Sequence, residues 1–453
     1  MRYVSTRGRA PELGFADVLL AGLATDGGLY VPEHWPTLAA RRPGMTYAQR
    51  AAQVMAPFVG EDVPDLDALC EEAYATFAHP AVAPLTQLDA RHFLMELFHG
   101  PTLAFKDVAL QLVGRLFDTV LGQRGQRVTI VGATSGDTGS AAIDGVKGCA
   151  NVDIVILYPY GRTSEVQRRQ MTTVDSPNVR VVAIDGTFDD CQDLVKAMFA
   201  DAEFRERMRL SAVNSINWAR VMAQVVYYVV ATDLLAGPID VNVPTGNFGN
   251  VFAGWVARQM GAPINRLVVS SNANDILTRF FHHNDMSARQ VVPSLSPSMD
   301  IQVSSNFERL LFEMNGRDGG MTAEQLGRFR ATGSLSVEPD QRRAFLDGVF
   351  LAGRCDDTQT LATMSATFAA TGQLIDPHTA VAVGAVQPLL GELATVVTMA
   401  TAHPAKFPDA VEQATGIRPP LPPHLADLFD RPERLTRLPN NLSAVQRFVA
   451  ALR

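Results

Sequence analysis

Lys106 lies in a segment that could present a reactive amine. Residues 99–107 read H-G-P-T-L-A-F-K-D, and apolar residues follow at positions 109, 112, 113, 116, 117 and 120. This spacing predicts a helix with a buried face and with Lys106 in its first turn. The helix macrodipole and the apolar neighbours both disfavour a positive charge at that position. A neutral amine can form a Schiff base, whereas the alternative is a lysine that extends from a helix start into solvent.

Lysine is rare in this chain. Of 39 basic residues only four are lysine, namely Lys106, Lys147, Lys196 and Lys406. Arginine can replace lysine where only a positive charge is needed, but it cannot replace an amine that must lose its proton. The rarity of lysine therefore favours a chemical role for Lys106.

Two turns rich in small residues could bind anions. The first follows the predicted strand 127–131 and contains Thr134, Ser135, Gly136, Asp137 and Thr138. Such a turn before a helix exposes backbone N–H groups to an anion. Its spacing matches neither the Walker motif nor G-x-G-x-x-G, which disfavours nucleotide binding. A plain packing turn between strand and helix is the alternative.

The second turn follows the predicted strand 239–243 and precedes a predicted helix over 251–260. Two glycines permit close approach of the backbone, and two asparagines tolerate left-handed geometry. The turn is suited to cradling a phosphate, although a tight turn with asparagine as the helix cap would use the same residues. Its residues are Gly246, Asn247, Phe248, Gly249 and Asn250.

Two further clusters carry polar groups to the ends of elements. Ser215, Asn217 and Arg220 open the apolar helix predicted over 221–235, where a cation opposes the helix dipole. An anionic ligand would explain Arg220, while Ser215 and Asn217 could simply cap the helix. Thr401 and His403 follow the predicted strand 396–400, and a histidine at such a position is more often structural than catalytic.

Short β-branched runs alternate with amphipathic stretches from residue 126 onward. The alternation predicts βαβ units, and therefore an α/β fold with two mostly parallel sheets around a central cleft. Ligands are expected at the carboxyl ends of the strands. Residues 1–85 show helical periodicity at 15–23 and 47–58 without a series of strands, which predicts an N-terminal, mainly helical unit. The remaining chain divides into two α/β regions, 86–240 and 241–453.

Composition excludes several classes of protein. A net charge of −8 without a basic run disfavours partners such as nucleic acid and anionic membranes. The four cysteines fit neither a metal-ligand pattern nor a disulfide framework, which indicates a reducing cytoplasm. No apolar stretch predicts a signal peptide or a membrane span.

The motifs together resemble the threonine synthase family in its longer subgroup. Lys106 within H-G-P-T-L-A-F-K-D, T-S-G-D-T-G, N-S-I-N-W, P-T-G-N-F-G-N and T-A-H-P-A-K-F follow one another in the order seen in that family. The opening Y-V-S-T-R-G and the later D-P-H-T-A extend the likeness over nearly the whole chain. The resemblance implies a fold-type II enzyme, like the tryptophan synthase β-subunit, with pyridoxal 5′-phosphate as cofactor.

The resemblance also implies a reaction and roles for particular residues. O-phospho-L-homoserine and water would give L-threonine and phosphate by γ-elimination and β-hydration. Lys106 would bind the cofactor covalently, Thr401 would face its pyridine nitrogen, and the turn at residues 246–250 would hold its phosphate. Thr134, Ser135, Gly136 and Thr138 would lie along the substrate carboxylate, and Ser215, Asn217 and Arg220 would hold the substrate phosphate.

Some alternatives remain open at the level of sequence. A lyase or dehydratase that releases 2-oxobutyrate would use the same cofactor, and a cofactor-free binding protein could retain the same fold. Asp137 beside the cofactor's phenolic oxygen would be repelled unless a proton is shared. The sequence does not distinguish a monomer from a homodimer.

Overall fold

The computed structural model describes residues 1–212, 215–235 and 237–452 of the chain. Within these residues the strands are β1 Tyr3–Ser5, β2 Tyr30–Pro32, β3 Leu85–Gln87, β4 His92–Glu96, β5 Val128–Ala133, β6 Val152–Pro159, β7 Val179–Asp185, β8 Leu210–Ser211, β9 Ile239–Pro244, β10 Ile264–Ser271, β11 Met286–Ser287, β12 Ser334–Leu335, β13 Phe350–Arg354, β14 Thr395–Ala400 and β15 Thr436–Pro439. The helices are α1 Phe15–Ala21, α2 Tyr47–Val59, α3 Leu66–Tyr74, α4 Lys106–Gln123, α5 Asp137–Val146, α6 Glu165–Thr172, α7 Phe188–Ala200, α8 Ala202–Met208, α9 Trp218–Leu234, α10 Gly249–Gln259, α11 Ile276–His283, α12 Phe307–Met314, α13 Gly319–Thr332, α14 Pro339–Leu346, α15 Asp357–Thr371, α16 Pro377–Val386, α17 Pro408–Thr415 and α18 Leu442–Ala450.

Two mostly parallel sheets form the framework, as the sequence predicts. The larger sheet has the strand order β13-β10-β9-β14-β4-β3, in which only the edge pair β3 and β4 is antiparallel. The smaller sheet, β15-β7-β6-β5-β8, is parallel throughout. All eight residues of β6 are buried, which explains why the strand is apolar from Ile154 onward rather than alternating between apolar and polar residues. The strands predicted at 152–157, 179–184 and 239–243 are confirmed as β6, β7 and β9.

Helices α4 and α5 contact each other closely, and this contact sets the position of the site. A Cβ atom on Gly114 of α4 would lie 1.9 Å from the carbonyl oxygen of Gly145 on α5. A Cβ on Gly145 would in turn lie 2.4 Å from the carbonyl oxygen of Leu110. Only glycine permits such an approach of two backbones. The first residues of the two helices, Lys106 and Asp137, are thereby brought side by side.

The N-terminal unit packs onto the same core. Helices α1 and α3 contact α4, and α1 and α2 contact α9, so one large apolar cluster runs from Tyr3 to Met399. The unit also contains the short antiparallel pair β1 and β2, which the sequence does not predict. Strands of three residues are too short to show an alternation of apolar and polar residues. No helix within the described residues is long and apolar enough to cross a membrane.

The sheets connect distant parts of the chain. Strand β4 pairs with β14, and β15 pairs with β7, so each sheet draws strands from both sides of residue 240. The cleft therefore lies where the carboxyl ends of β5, β9 and β14 approach one another, which is where ligands bind in parallel sheets.

Candidate active site

A cavity at the carboxyl ends of the strands gathers most of the residues that the motifs single out. It is lined by Phe105, Lys106, Thr138, Ser215, Arg220, Gln224, Pro244, Thr245, Gly246, Asn247, Phe248, Gly249, Asn250, Ser298, Met299, His378 and Thr401. Six separate motifs thus contribute side chains or backbone to one cavity.

Lys106 is one of the residues that line this cavity. The structure confirms the predicted helix start, because α4 begins at Lys106 itself. The Nζ atom lies 3.1 Å from Oδ2 of Asp137 and donates to the Ser298 hydroxyl at 3.4 Å. Burial lowers the pKa of Lys106, the positive charges of Lys406 and Arg220 lower it further, and Asp137 opposes this shift. The environment therefore favours an amine that can exchange its proton.

Asp137 is held by several donors at the N-terminus of α5. Besides Lys106, the ammonium group of Lys406 lies 3.0 Å from Oδ1, and the Gln167 side-chain amide donates to Oδ1 at 2.8 Å. Burial raises the pKa of Asp137, but the two ammonium groups outweigh it and hold the pKa well below its ordinary value. Asp137 is thus a carboxylate in the free protein, with the amino groups of two lysines beside it.

The turn after β9 exposes a row of backbone donors. No backbone N–H of residues 246–250 donates to a residue that the structure describes. Phe248 adopts a left-handed φ of 64°, while its ring packs on Phe281 and Phe307. A Cβ atom on Gly246 would lie 2.6 Å from the carbonyl oxygen of Ser298, so this position requires glycine. Such a nest of N–H groups at the start of α10 binds an anion well.

Two buried side chains at the cavity carry donors without partners. Asn250 accepts from the Tyr227 and Tyr228 hydroxyls through Oδ1, and its Nδ2 has no partner within the described part of the chain. The Nε of Arg220 also lacks one among the described residues. Burial lowers the pKa of Arg220 to about 10, which leaves it a cation at neutral pH. Unsatisfied buried donors of this kind indicate that a ligand completes the site.

The remaining predicted residues divide into those that reach the cavity and those that support it. Thr138, Ser215 and Thr401 line it. Thr134 accepts from the N–H groups of Gly136 and Gly139 and so stabilises the turn itself, while Ser135 is exposed. The backbone of Gly136 adopts a φ of 149° and packs against Gln167, where a Cβ would lie 2.5 Å from Cδ.

Asn217 is not brought to the cavity. Its Oδ1 accepts from the Ala219 N–H as the cap of α9, and its Nδ2 donates to the Leu19 carbonyl. Both ends of this buried side chain are therefore committed to the fold. Asn214 of the same motif lies outside the described residues.

Ser298, His378 and Lys406 are residues of the site to which the sequence analysis assigns no role. Ser298 lies in the long segment between β11 and α12, and its hydroxyl contacts both Lys106 and Asp137. His378 accepts from the Ser298 N–H through Nε2 and is held by Asp376 at Nδ1. Lys406 does not line the cavity, and its Nζ lies 3.0 Å from Oδ1 of Asp137. The D-P-H-T motif and the rarity of lysine are the signals in the sequence that could point to His378 and Lys406.

The cavity fits pyridoxal phosphate on the basis of its own chemistry. It offers a buried amine, a cradle of free N–H groups, and two nitrogens without partners among the described residues, Nδ2 of Asn250 and Nε of Arg220. The glycine at position 246 leaves room at the cradle that a Cβ would fill. These are the groups needed to bind an aldehyde and a phosphate together.

Comparisons with known proteins agree with this chemistry. The chain matches the family models for the threonine synthase N terminus over residues 2–74, a pyridoxal-phosphate dependent enzyme over 78–339 and the threonine synthase C-terminal region over 379–449. It is 56% identical to the threonine synthase of Pseudomonas aeruginosa, over 99% of this chain and 98% of that protein.

Solved structures give the same result. The crystal structure of the PLP-bound threonine synthase from Brucella melitensis is similar with a TM-score of 0.97 at 50% identity, covering 100% of this chain and 99% of that one. Threonine synthase from yeast has a TM-score of 0.94 at 36% identity, covering 100% and 98%. The resemblance inferred from the motifs is confirmed: the chain belongs to the threonine synthase family of fold-type II enzymes that depend on pyridoxal 5′-phosphate.

Proposed function

We propose that this chain converts O-phospho-L-homoserine and water into L-threonine and inorganic phosphate. The observation that carries the proposal is that two separate groups of donors without partners, each suited to an anion, line the cavity of Lys106. One is the row of free N–H groups at residues 246–250, and the other is the buried guanidinium of Arg220. A cofactor phosphate occupies only one of them, so the second supports a substrate that carries its own phosphate.

Pyridoxal phosphate, when bound, supplies a conjugated system that stabilises negative charge on the substrate's α- and β-carbons. Lys106 would hold it covalently, Thr401 would face its ring nitrogen and Asp137 would lie toward its phenolic oxygen. The backbone of the turn after β9 would hold its phosphate. The proposed cofactor-binding residues are Lys106, Asp137, Gly246, Asn247, Phe248, Gly249, Asn250 and Thr401.

Side chains and backbone groups of the protein itself transfer the proton and bind the substrate. The amine of Lys106 moves the proton at the substrate's α-carbon, a task suited to a base of lowered pKa. Arg220 and Ser215 hold the γ-phosphate and stabilise the charge that grows on it as its bond to carbon breaks. The turn containing Thr134, Ser135, Gly136 and Thr138 binds the substrate carboxylate.

Identification of the products tests the proposal. The purified protein, loaded with pyridoxal phosphate and given O-phospho-L-homoserine, is expected to release threonine and phosphate in equal amounts. Release of 2-oxobutyrate and ammonia with the phosphate would instead establish the lyase or dehydratase. Absence of any phosphate release would remove O-phosphohomoserine as the substrate.

We further propose that the reaction takes place in a reducing cytoplasm. The support for this is the state of the cysteines: Cys70, Cys149, Cys191 and Cys355 are free thiols.

A further inference from the structure

Lys406 is a buried lysine that lies next to Asp137, outside the cavity of the active site. Its side chain is 0% exposed, and it does not line the cavity. It ends the short 3-10 turn Pro404–Lys406 that follows β14. The Nζ donates to the Thr102 carbonyl at 2.7 Å and to Gln170 Oε1 at 3.1 Å, and it lies 3.0 Å from Asp137 Oδ1. Two oxygens thus accept hydrogen bonds from the Lys406 amino group, and the Asp137 carboxylate forms an ion pair with it.

Asp137 lies between two lysines, one at each carboxylate oxygen. Lys106 contacts Oδ2 and Lys406 contacts Oδ1. When Lys106 gives up its proton, Asp137 keeps Lys406 as its counter-ion. Without Lys406, the same loss would leave a buried carboxylate with no cation, which is a costly state. The proton on Lys106 would then be held more tightly.

Other charged groups face this cluster but do not replace Lys406. His378 on α16 and Arg220 on α9 exert electrostatic effects on Asp137 and Lys106 respectively. Asp107 on α4 accepts from Thr102, and burial raises the pKa of its carboxyl to about 6. Among the residues described by the structure, Lys106 and Lys406 are those that form ion pairs with Asp137.

We propose that Lys406 is a positioning residue of the reaction: as the lasting counter-ion of Asp137, it allows Lys106 to release its proton while Asp137 stays ionised. The inference rests on the proposed function in one respect, which is that Lys106 is the amine that binds the cofactor. Lys406 itself does not line the cavity. A guanidinium could supply the same charge, but three convergent oxygens suit the compact ammonium better.

The scarcity of lysine makes a direct test practical. Full-length protein labelled with ¹³C at lysine Cε and freed of cofactor carries four labelled lysines. Their resonances are followed as the pH is raised, and single replacements assign them. The proposal requires Lys106 to lose its proton first, while Lys406 still holds its own. The reverse order in the wild-type protein would overturn it.

Substitutions give the second arm of the test. Lys406→Met keeps the length of the side chain but removes the charge, and it is expected to raise the pKa of Lys106 by about one unit or more. Lys406→Arg should restore most of the shift. Lys196→Met removes a lysine whose side chain is 70% exposed and serves as the matched control. An unchanged pKa of Lys106 in Lys406→Met would contradict the proposal.

The rate at which cofactor attaches to Lys106 is an independent readout. At neutral pH the reactive fraction of the amine falls about tenfold for each unit by which its pKa rises. Attachment should therefore be about tenfold slower or more in Lys406→Met and close to normal in Lys406→Arg, and equal rates in wild type and Lys406→Met would count against the proposal. Neither readout uses the substrate. Failure to form threonine would therefore contradict the proposed reaction. It would not affect the inference about Lys406, which is tested by the pKa of Lys106 and by the rate of cofactor attachment.

Discussion

At the scale of single residues, the site depends on charges that are buried together. Lys106 and Lys406 share the carboxylate of Asp137, whereas Arg220 has no carboxylate partner among the described residues. A buried cation without a counter-ion is unfavourable in the free protein. A bound phosphate dianion would supply the missing counter-ion. The site should therefore bind a phosphorylated ligand more tightly than an uncharged one.

Replacement of Lys106 by arginine tests the identity of the reactive amine. The guanidinium keeps the charge beside Asp137 but cannot form a Schiff base. Lys106→Arg should therefore fold, fail to show the visible absorbance of bound cofactor and lose turnover by several orders of magnitude. In the wild-type protein, borohydride reduction followed by peptide mass mapping should locate the cofactor on Lys106. A label on Lys147, Lys196 or Lys406 would contradict the assignment.

Replacement of Arg220 by leucine tests the substrate's phosphate. A charge-assisted hydrogen bond is worth about 1.5–3 kcal/mol, so kcat/KM for O-phosphohomoserine should fall about 10- to 100-fold or more. Stability should be unchanged or increased, because a buried, unpaired cation is removed. An unphosphorylated amino acid that binds the same cofactor is the control ligand, and its spectral titration should barely change. Equal losses for both ligands would show that Arg220 supports the fold or the cofactor.

At the scale of elements, strand ends and helix starts place the reacting groups. The turn between β9 and α10 is contiguous in sequence, so its glycines and asparagines can be recognised as an anion cradle from the sequence alone. Lys106 at the start of α4 is predictable for the same reason. Both are local features, because neighbouring residues decide the conformation of a turn or of a helix start.

Other parts of the site depend on contacts between distant segments. Ser298 donates a hydrogen bond to Asp137, from which it is separated by 161 residues in the sequence. No sequence pattern in either segment indicates this contact. The resemblance implies that Asn217 holds the substrate phosphate, whereas in the structure its side chain caps α9, the alternative that the sequence also offered, and its amide donates to Leu19 of the N-terminal unit. Strands β4 and β15 are also not predicted, since five- and four-residue strands offer too few positions to establish a period.

A substitution in the cradle tests its role. A methyl group at residue 246 would meet the Ser298 carbonyl oxygen at 2.6 Å, so Gly246→Ala must displace the cradle or the Ser298 segment. The cofactor dissociation constant should rise at least about tenfold, measured by equilibrium titration of the visible absorbance. Gly327→Ala, in α13 with open space at its Cβ, is the matched control and should bind cofactor normally. Normal affinity in Gly246→Ala would mean that the phosphate is held elsewhere.

At the scale of the whole molecule, the N-terminal unit is linked to the site through α12. Thr6 and Arg7 bind Glu308, and the buried Arg309 donates to the carbonyl of Tyr30 and to that of Ile216. Ile216 lies between Ser215 and the cap of α9, the helix that carries Arg220. The N-terminal unit therefore stabilises the segment proposed to hold the substrate phosphate.

The stability of the whole molecule should depend on pH through His403. Burial lowers its pKa from 6.5 to about 4, and His99 adds to this effect. In the unfolded chain His403 is therefore protonated below about pH 6.5, whereas in the folded chain it is protonated only below about pH 4. The free energy of unfolding should fall across that interval, by at most about 3 kcal/mol from this group, and no further below it.

His403→Asn isolates this contribution. Asparagine can still cap the turn by accepting from the Ala405 N–H, as His403 does. Chemical denaturation between pH 7 and pH 4 should show a shallower loss of stability in the variant. Burial also lowers the pKa of His92 and of His424, so part of the slope should remain. Identical slopes would show that His403 is not buried as a neutral group.

The reaction proposed for the Lys106 cavity is tested most directly by following oxygen atoms. Holoenzyme is incubated with O-phospho-L-homoserine in H₂¹⁸O, and the products are examined by mass spectrometry. Elimination breaks the bond between carbon and oxygen, and water then adds to the β-carbon. Threonine with one ¹⁸O in its side chain and phosphate without ¹⁸O are therefore predicted. Homoserine with labelled phosphate, or 2-oxobutyrate in place of threonine, would contradict the proposed function.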